Sequence, residues 1–179
     1  MRLLRYFLSP VRRDSGIRPS INMRFLADKM LGKLAKWLRI LGFDTVYLAY
    51  PALPEIREQA AQGRIFLTRN RSLLHKIPGA VFISSDHVDE QLGQLYQAGH
   101  IDFKEEKWFS RCILCNVPLT TVSNEEVDTL VPEYVRRTAS SFARCPLCGK
   151  VYWPGSHSNR MKERIRLIKL QAAKSPSAP

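Results

Sequence analysis

Two cysteine pairs constrain this chain more than any other feature: Cys112/Cys115 in "RCILCNVPL" and Cys145/Cys148 in "RCPLCGKVYW". Each has C-x2-C spacing, and 29 residues separate the pairs. Four thiolates suit a tetrahedral zinc ion, and two such pairs form a strong zinc-ribbon pattern. A segment this short needs a metal to fold, so structural zinc is expected. Four cysteines leave no open position on the ion, which argues against catalytic zinc. Gly149 after Cys148 fits the turn of a knuckle, and "KVYW" reads as the strand leaving it. The intervening "SNEEVDTLVPEYV" offers Ser123 and Glu126 as a capping box. Residues 1–30 hold no apolar signal-peptide core, so disulfides are not expected and a reducing, cytoplasmic setting is.

Upstream of the cysteines, short apolar strands alternate with helical segments. "MRFLA" (23–27), "DTVYLAY" (44–50), "RIFLT" (64–68) and "AVFIS" (80–84) read as strands. Helices are expected over Lys29 to Leu41, closed by Gly42, over Pro54 to Gln62, closed by Gly63, and over Asp86 to Ala98, before Gly99. A short turn is expected over Ser72 to Lys76. This alternation predicts an α/β domain over 23–100, with a mainly parallel sheet covered by helices on both faces. The small ribbon follows over 101–156, beginning with the linker-like "IDFKEEKWFSRC". Residues 157–179 read as a basic helical tail, with Met161, Ile165 and Ile168 at helical spacing and a disordered end at Pro176 and Pro179.

The net charge of +12, from 28 Lys+Arg against 16 Asp+Glu, favours a polyanionic partner, with nucleic acid first. No run approaches the ~18 apolar residues that a membrane span needs. Residues 1–22 carry five Arg against one Asp and read as a basic flexible arm. An upstream start codon or an Arg-rich targeting peptide are the competing readings. On the helix expected over 29–41, Lys29, Lys33, Lys36 and, at its margin, Arg39 line the face opposite the apolar one. That stripe is either an ordinary solvated face or a surface for phosphates.

The parallel-sheet reading puts several polar residues at one edge. Asp28 follows the first strand, Asn70 the third and Asp86 the fourth, and Glu55 starts the helix after the second. Ligands of open α/β sheets bind at that carboxyl edge. Converging carboxylates repel unless a cation joins them, and Mg²⁺ or Mn²⁺ are the hard ions that oxygen donors prefer. Each acid also has a plainer role: Asp28 and Asp86 as helix caps, Glu55 as a favourable charge at a helix start.

"RFLADKMLGKLAKWLRILGFD", "GRIFLTRN", "RCILCN" and "CPLCGKVYWPGSHSNRM" together resemble the Mut7-C RNase domain family, from about Met23 to about Ile165. The resemblance implies a PIN-like nuclease domain with a Rossmann-like sheet, followed by a four-cysteine zinc ribbon. It implies a metal-dependent ribonuclease that cleaves single-stranded RNA at a Mg²⁺ or Mn²⁺ site. Asp28 then matches the first acid, Glu55 the second and Asp86 the late one, while Asn70 stands where the family's "LTRD" has Asp. Asn keeps an oxygen donor but loses a full charge, so metal affinity should fall. Asp44 and Asp89 are spare acids that would offset the loss if they lay near. Lys33, Lys36, Arg69, Arg71 and Arg160 are the expected phosphate contacts, with ribosomal RNA or tRNA as possible partners. Tyr152 and Trp153 are either stacking platforms or ribbon core, and His157 either contacts RNA or is an ordinary exposed histidine. The alternative function is an RNA- or ribosome-binding protein that keeps the fold without turnover. A toxin of a toxin–antitoxin pair is a weaker third reading.

Overall fold

The computed structural model describes residues 23–174. The basic arm at 1–22 and the end beyond Lys174 lie outside the described residues. The chain starts with β1 (Arg24–Ala27), α1 (Gly32–Ile40), β2 (Asp44–Tyr47) and α2 (Leu53–Ala61). It continues through β3 (Arg64–Thr68), α3 (Arg71–Leu74), β4 (Val81–Phe82) and α4 (Val88–Gln97). The strands form one parallel sheet in the order β2-β1-β3-β4.

Side-chain alternation along the strands divides the core in two. Phe25, Ala27 and Leu67 face α1 and α4, packing with Leu34, Leu38, Leu92 and Leu95. Leu26 and Phe66 point the other way and pack with Ile56 and Ile77 beneath α2 and α3. Phe25, Leu26 and Phe66 are buried, and each such side chain stabilises the fold by roughly 1.5–3 kcal/mol.

Several elements are shorter than their sequence signals. The helix expected from Lys29 opens as a 3-10 turn over Lys29–Leu31, and α1 begins only at Gly32. Asp28 caps that turn, its carboxylate accepting from the Met30 N–H at 2.9 Å. β2 stops at Tyr47 rather than at residue 50. β4 pairs only over Val81–Phe82, although the Ile83 N–H still donates to the Thr68 carbonyl at 2.9 Å. The expected linker is packed: Ile101 and Phe103 are buried, and the Phe103 ring lies 5.1 Å from that of Tyr96.

The ribbon forms a second sheet from β5 (Thr120–Val122), β6 (Phe142–Arg144) and β7 (Val151–Tyr152), antiparallel in that order. The long insertion supplies α5 (Glu133–Thr138) and a small core of Val127, Val131 and Phe142. Within it, Ser123 donates its backbone N–H to Glu126 at 2.8 Å, which is one half of the expected capping box.

The basic tail is α6 (Ser156–Lys174), longer than its apolar spacing indicated. It is a structural helix, burying Ile165, Ile168 and Ala172. It runs alongside α4 in the same direction. Arg164 pairs with Asp89 near the start of α4 at 2.9 Å, and Gln97 near its end donates to the Ala172 carbonyl at 3.1 Å.

Gly42 closes α1 at φ +91°, and a methyl group there would overlap the backbone carbonyl of Lys107. Gly42→Ala therefore combines backbone strain with a backbone clash and is expected to cost about 2–4 kcal/mol. A thermal melt reads this directly; a melting temperature within about 2 °C of wild type would contradict it.

Candidate functional site

In the order β2-β1-β3-β4, consecutive connections leave in opposite directions between β1 and β3. The carboxyl ends of those two strands therefore flank the topological switch point, where open α/β sheets form a crevice. Asp28 ends β1 there, and Thr68 and Asn70 end β3.

These three residues form one network. Asp28 is 4% exposed, and one carboxylate oxygen accepts from the Met30 N–H. The other accepts from the hydroxyl of Thr68, which is fully buried. The same hydroxyl oxygen accepts from the Asn70 N–H at 2.9 Å. Thr68 thus fixes the carboxylate of Asp28 and the turn that carries Asn70. Sequence reading recognised Thr68 as part of a motif but assigned it no role. Its position as the last inward residue of β3, beside Asp28, was the available signal.

Asn70 reaches Asp28 only through Thr68. Its side-chain oxygen caps α3, accepting from the Ser72 N–H at 3.0 Å and the Ser72 hydroxyl at 2.8 Å. Glu55 lies exposed in the first turn of α2. Asp86 is exposed in the loop before α4, with its carboxylate 3.6 Å from His87. Both lie beyond the same edge without closing on Asp28, and among the described residues the one group of three or more clustered ligands is formed by the cysteines. The donors at this edge are all hard oxygens, chemically suited to Mg²⁺ or Mn²⁺, and of its three carboxylates Asp28 is the buried one.

The spare acids do not serve this edge. Asp44 opens β2 at the opposite end of the sheet, where both its oxygens are held by Arg64 at 2.8 and 2.9 Å. Burial works against its charge, but hydrogen bonds from Arg64 and Asn116 outweigh it and hold the carboxyl below its usual range. Asp89 is taken by Arg164, whose guanidinium also lies 5.1 Å from the centre of the Trp37 ring. Neither offsets the charge missing at Asn70.

Lys33 and Lys36 are exposed on α1, and Arg160 on α6. Arg69 is half-buried after β3, and Arg71 is exposed with its guanidinium 4.9 Å from the centre of the Phe82 ring. Arg39 leaves the basic stripe, because its donors are spent on the Thr45, Ile113 and Leu114 carbonyls. Tyr50, 90% exposed just past β2, is an aromatic at this edge that sequence reading left unassigned.

The cysteine site lies elsewhere. The ligand atoms of Cys112, Cys115, Cys145 and Cys148 lie within 4.8 Å of one another, and the Cys112 and Cys148 sulfurs are 3.8 Å apart. Tetrahedral zinc with Zn–S bonds of ~2.3 Å places its sulfurs at about that separation, so the four can hold a metal such as zinc. Burial opposes the Cys112 thiolate, but the Tyr152 hydroxyl and the N–H groups of Cys115 and Leu114 outweigh it and hold the thiol down at about 6. Cys115 is pushed up to about 12 by hydrogen bonding to Cys148 and by burial. The Tyr152 hydroxyl lies 3.2 Å from the Cys112 sulfur, which ties this residue to the cysteine site. Trp153 is 39% exposed, and His157 is exposed in the first turn of α6.

The family model for the Mut7-C RNAse domain matches residues 23–165, most of the chain and both of its parts. The chain belongs to the Mut7-C RNAse domain family. No curated protein and no solved structure matches it. Membership suggests a ribonuclease-type function with RNA as substrate, and the Mut7-C match joins the α/β domain and the cysteine ribbon in one unit. Among the described residues no helix is long and apolar enough to cross a membrane.

Proposed function

We propose that this Mut7-C protein hydrolyses phosphodiester bonds of single-stranded RNA at the carboxyl edge of its sheet, with Mg²⁺ or Mn²⁺ held there. The observation that carries this reading is the buried carboxylate of Asp28, fixed by Thr68 and the Met30 N–H at the switch between β1 and β3. A divalent ion at such a site supplies activated water and stabilises charge on the attacking and leaving oxygens. Asp28 is its anchor, with Glu55 and Asp86 as mobile outer carboxylates. Asn70 serves first as the cap of α3 and second as a neutral oxygen donor.

The remaining residues position the strand. Lys33, Lys36, Arg69, Arg71 and Arg160 contact phosphates. Tyr50 offers a face on which a base can stack, a contact worth about 1–3 kcal/mol. The positive charge is uneven. Arg160 to Lys174 holds six Lys/Arg against one Glu, whereas Arg164 and Arg166 are neutralised by Asp89 and Glu105. Arg160 therefore contributes more to RNA affinity than its paired neighbours.

The test is cleavage of a labelled single-stranded RNA by wild type and Asn70→Asp in Mn²⁺. Asp caps a helix as well as Asn, so the substitution adds charge without loosening α3. We expect Mn²⁺-dependent cleavage by wild type and apparent Mn²⁺ affinity about tenfold tighter in Asn70→Asp. Wild-type inactivity with activity in Asn70→Asp would favour the RNA-binding protein with a decayed site. If neither cleaves RNA, the ribonuclease reading fails.

A further inference from the structure

Among the described residues β2 is an edge strand, and no strand neighbours the outward-facing backbone of Thr45. Side chains take the place of one. The Thr45 N–H donates to the Asn116 side-chain oxygen at 2.8 Å, and the Thr45 carbonyl accepts from Arg39 Nε at 2.9 Å. Both partners belong to, or hold, the first cysteine knuckle. Arg39 Nη1 donates to the Ile113 and Leu114 carbonyls at 2.8 and 3.0 Å. Asn116 Nδ2 donates to Asp44 at 2.6 Å, and the Phe109 N–H donates to the Ile40 carbonyl at 2.7 Å.

The two knuckles are built alike, and the comparison isolates Asn116. In each, the residue after the second cysteine donates its N–H to the carbonyl of the first: Asn116 to Cys112 at 2.9 Å, Gly149 to Cys145 at 3.0 Å. Both residues are left-handed, Asn116 at φ 64° and Gly149 at φ 70°. Glycine meets that requirement without strain, as the second knuckle shows. The turn itself therefore does not need the Asn116 side chain. What that side chain does is cover β2.

We propose that the first knuckle is a metal-set cap on the open edge of the α/β sheet. A metal on Cys112 and Cys115 fixes the backbone that aims Asn116 at Thr45 and presents the Ile113 and Leu114 carbonyls to Arg39. Without the metal the turn relaxes and the β2 edge opens. Uncovered sheet edges recruit other strands, so this cap also protects against association. The inference gives the ribbon a role in the α/β domain that is independent of RNA, and it stands whether or not the protein cleaves RNA.

Hydrogen exchange read by mass spectrometry on the full chain tests it. In zinc-loaded wild type the Thr45 amide is protected, and chelation speeds its exchange by about tenfold or more. Asn116→Gly keeps the turn and one zinc per chain, yet exchanges at Thr45 about tenfold faster with zinc bound. The proposal is overturned if the zinc-loaded variant, or the chelated wild type, exchanges at Thr45 within about twofold of zinc-loaded wild type. If chelation unfolds the whole chain, the zinc-loaded variant decides alone. If Asn116→Gly binds less than one zinc, Arg39→Gln, which removes the knuckle's other tie to this edge, through the Thr45, Ile113 and Leu114 carbonyls, is judged by the same criterion.

Discussion

Asp28→Asn is expected to lower Mn²⁺-dependent RNA cleavage by at least about a hundredfold while leaving the protein folded. The two effects separate because charge and hydrogen bonding separate at this residue. An Asn oxygen can still accept from the Met30 N–H, and its amide can turn to donate to the Thr68 oxygen. The rearrangement costs about 1–2 kcal/mol, a small shift in the melting temperature. The lost negative charge has no substitute in the spare acids, because Asp44 is held by Arg64 at the opposite end of the sheet and Asp89 is spent on Arg164. Thr68 gives an internal control. Thr68→Ser keeps the hydroxyl and should retain most activity. Thr68→Val leaves Asp28 and the Asn70 N–H each short of a partner, so it should lose stability and weaken metal binding together. Full activity in Asp28→Asn would remove the buried carboxylate from the chemistry.

The parallel sheet, its two-sided core and the cysteine cluster were all legible in the sequence because each rests on a local pattern. Apolar runs of three to five residues marked the strands, and C-x2-C spacing marked the knuckles. The resemblance then supplied the family. What was not legible depended on partners distant in the chain. Asp44, in "LGFD", looked like a spare site acid, although the strand expected over 44–50 already put it at the amino end of the sheet. That its carboxylate is spent on Arg64 and Asn116, both distant in the chain, had no local signal. Arg39 fell on a basic helix face, and nothing local says that its guanidinium reaches residues 113 and 114. Asn70 was legible as a missing charge but not as the cap of α3, because a four-residue helix leaves almost no periodic signal.

Loss of the cysteine-bound metal is expected to be the largest change in stability that a single side chain can cause. Cys112→Ser should drop zinc from about one per chain to well below half, with the ribbon unfolding. Metal binding contributes roughly 10–16 kcal/mol in small zinc modules, comparable to the whole stability of a domain. The apolar core of Val127, Val131 and Phe142 is too small to replace it. Cys112 should be the more sensitive ligand and Cys148 the less. Cys112 is fully buried, accepts from the Cys115 N–H at 3.4 Å and contacts the Tyr152 hydroxyl, whereas Cys148 is exposed. The α/β domain should survive with a lower melting point. Its main core draws chiefly on α1, α4 and α6, while the knuckle adds the partly buried Ile113 to it and braces Thr45, Ile40 and Gly42. Zinc content and two-stage melting of Cys112→Ser and Cys148→Ser measure this. A Cys112→Ser protein that keeps one zinc and melts with wild type would show that the four sulfurs are not the metal site.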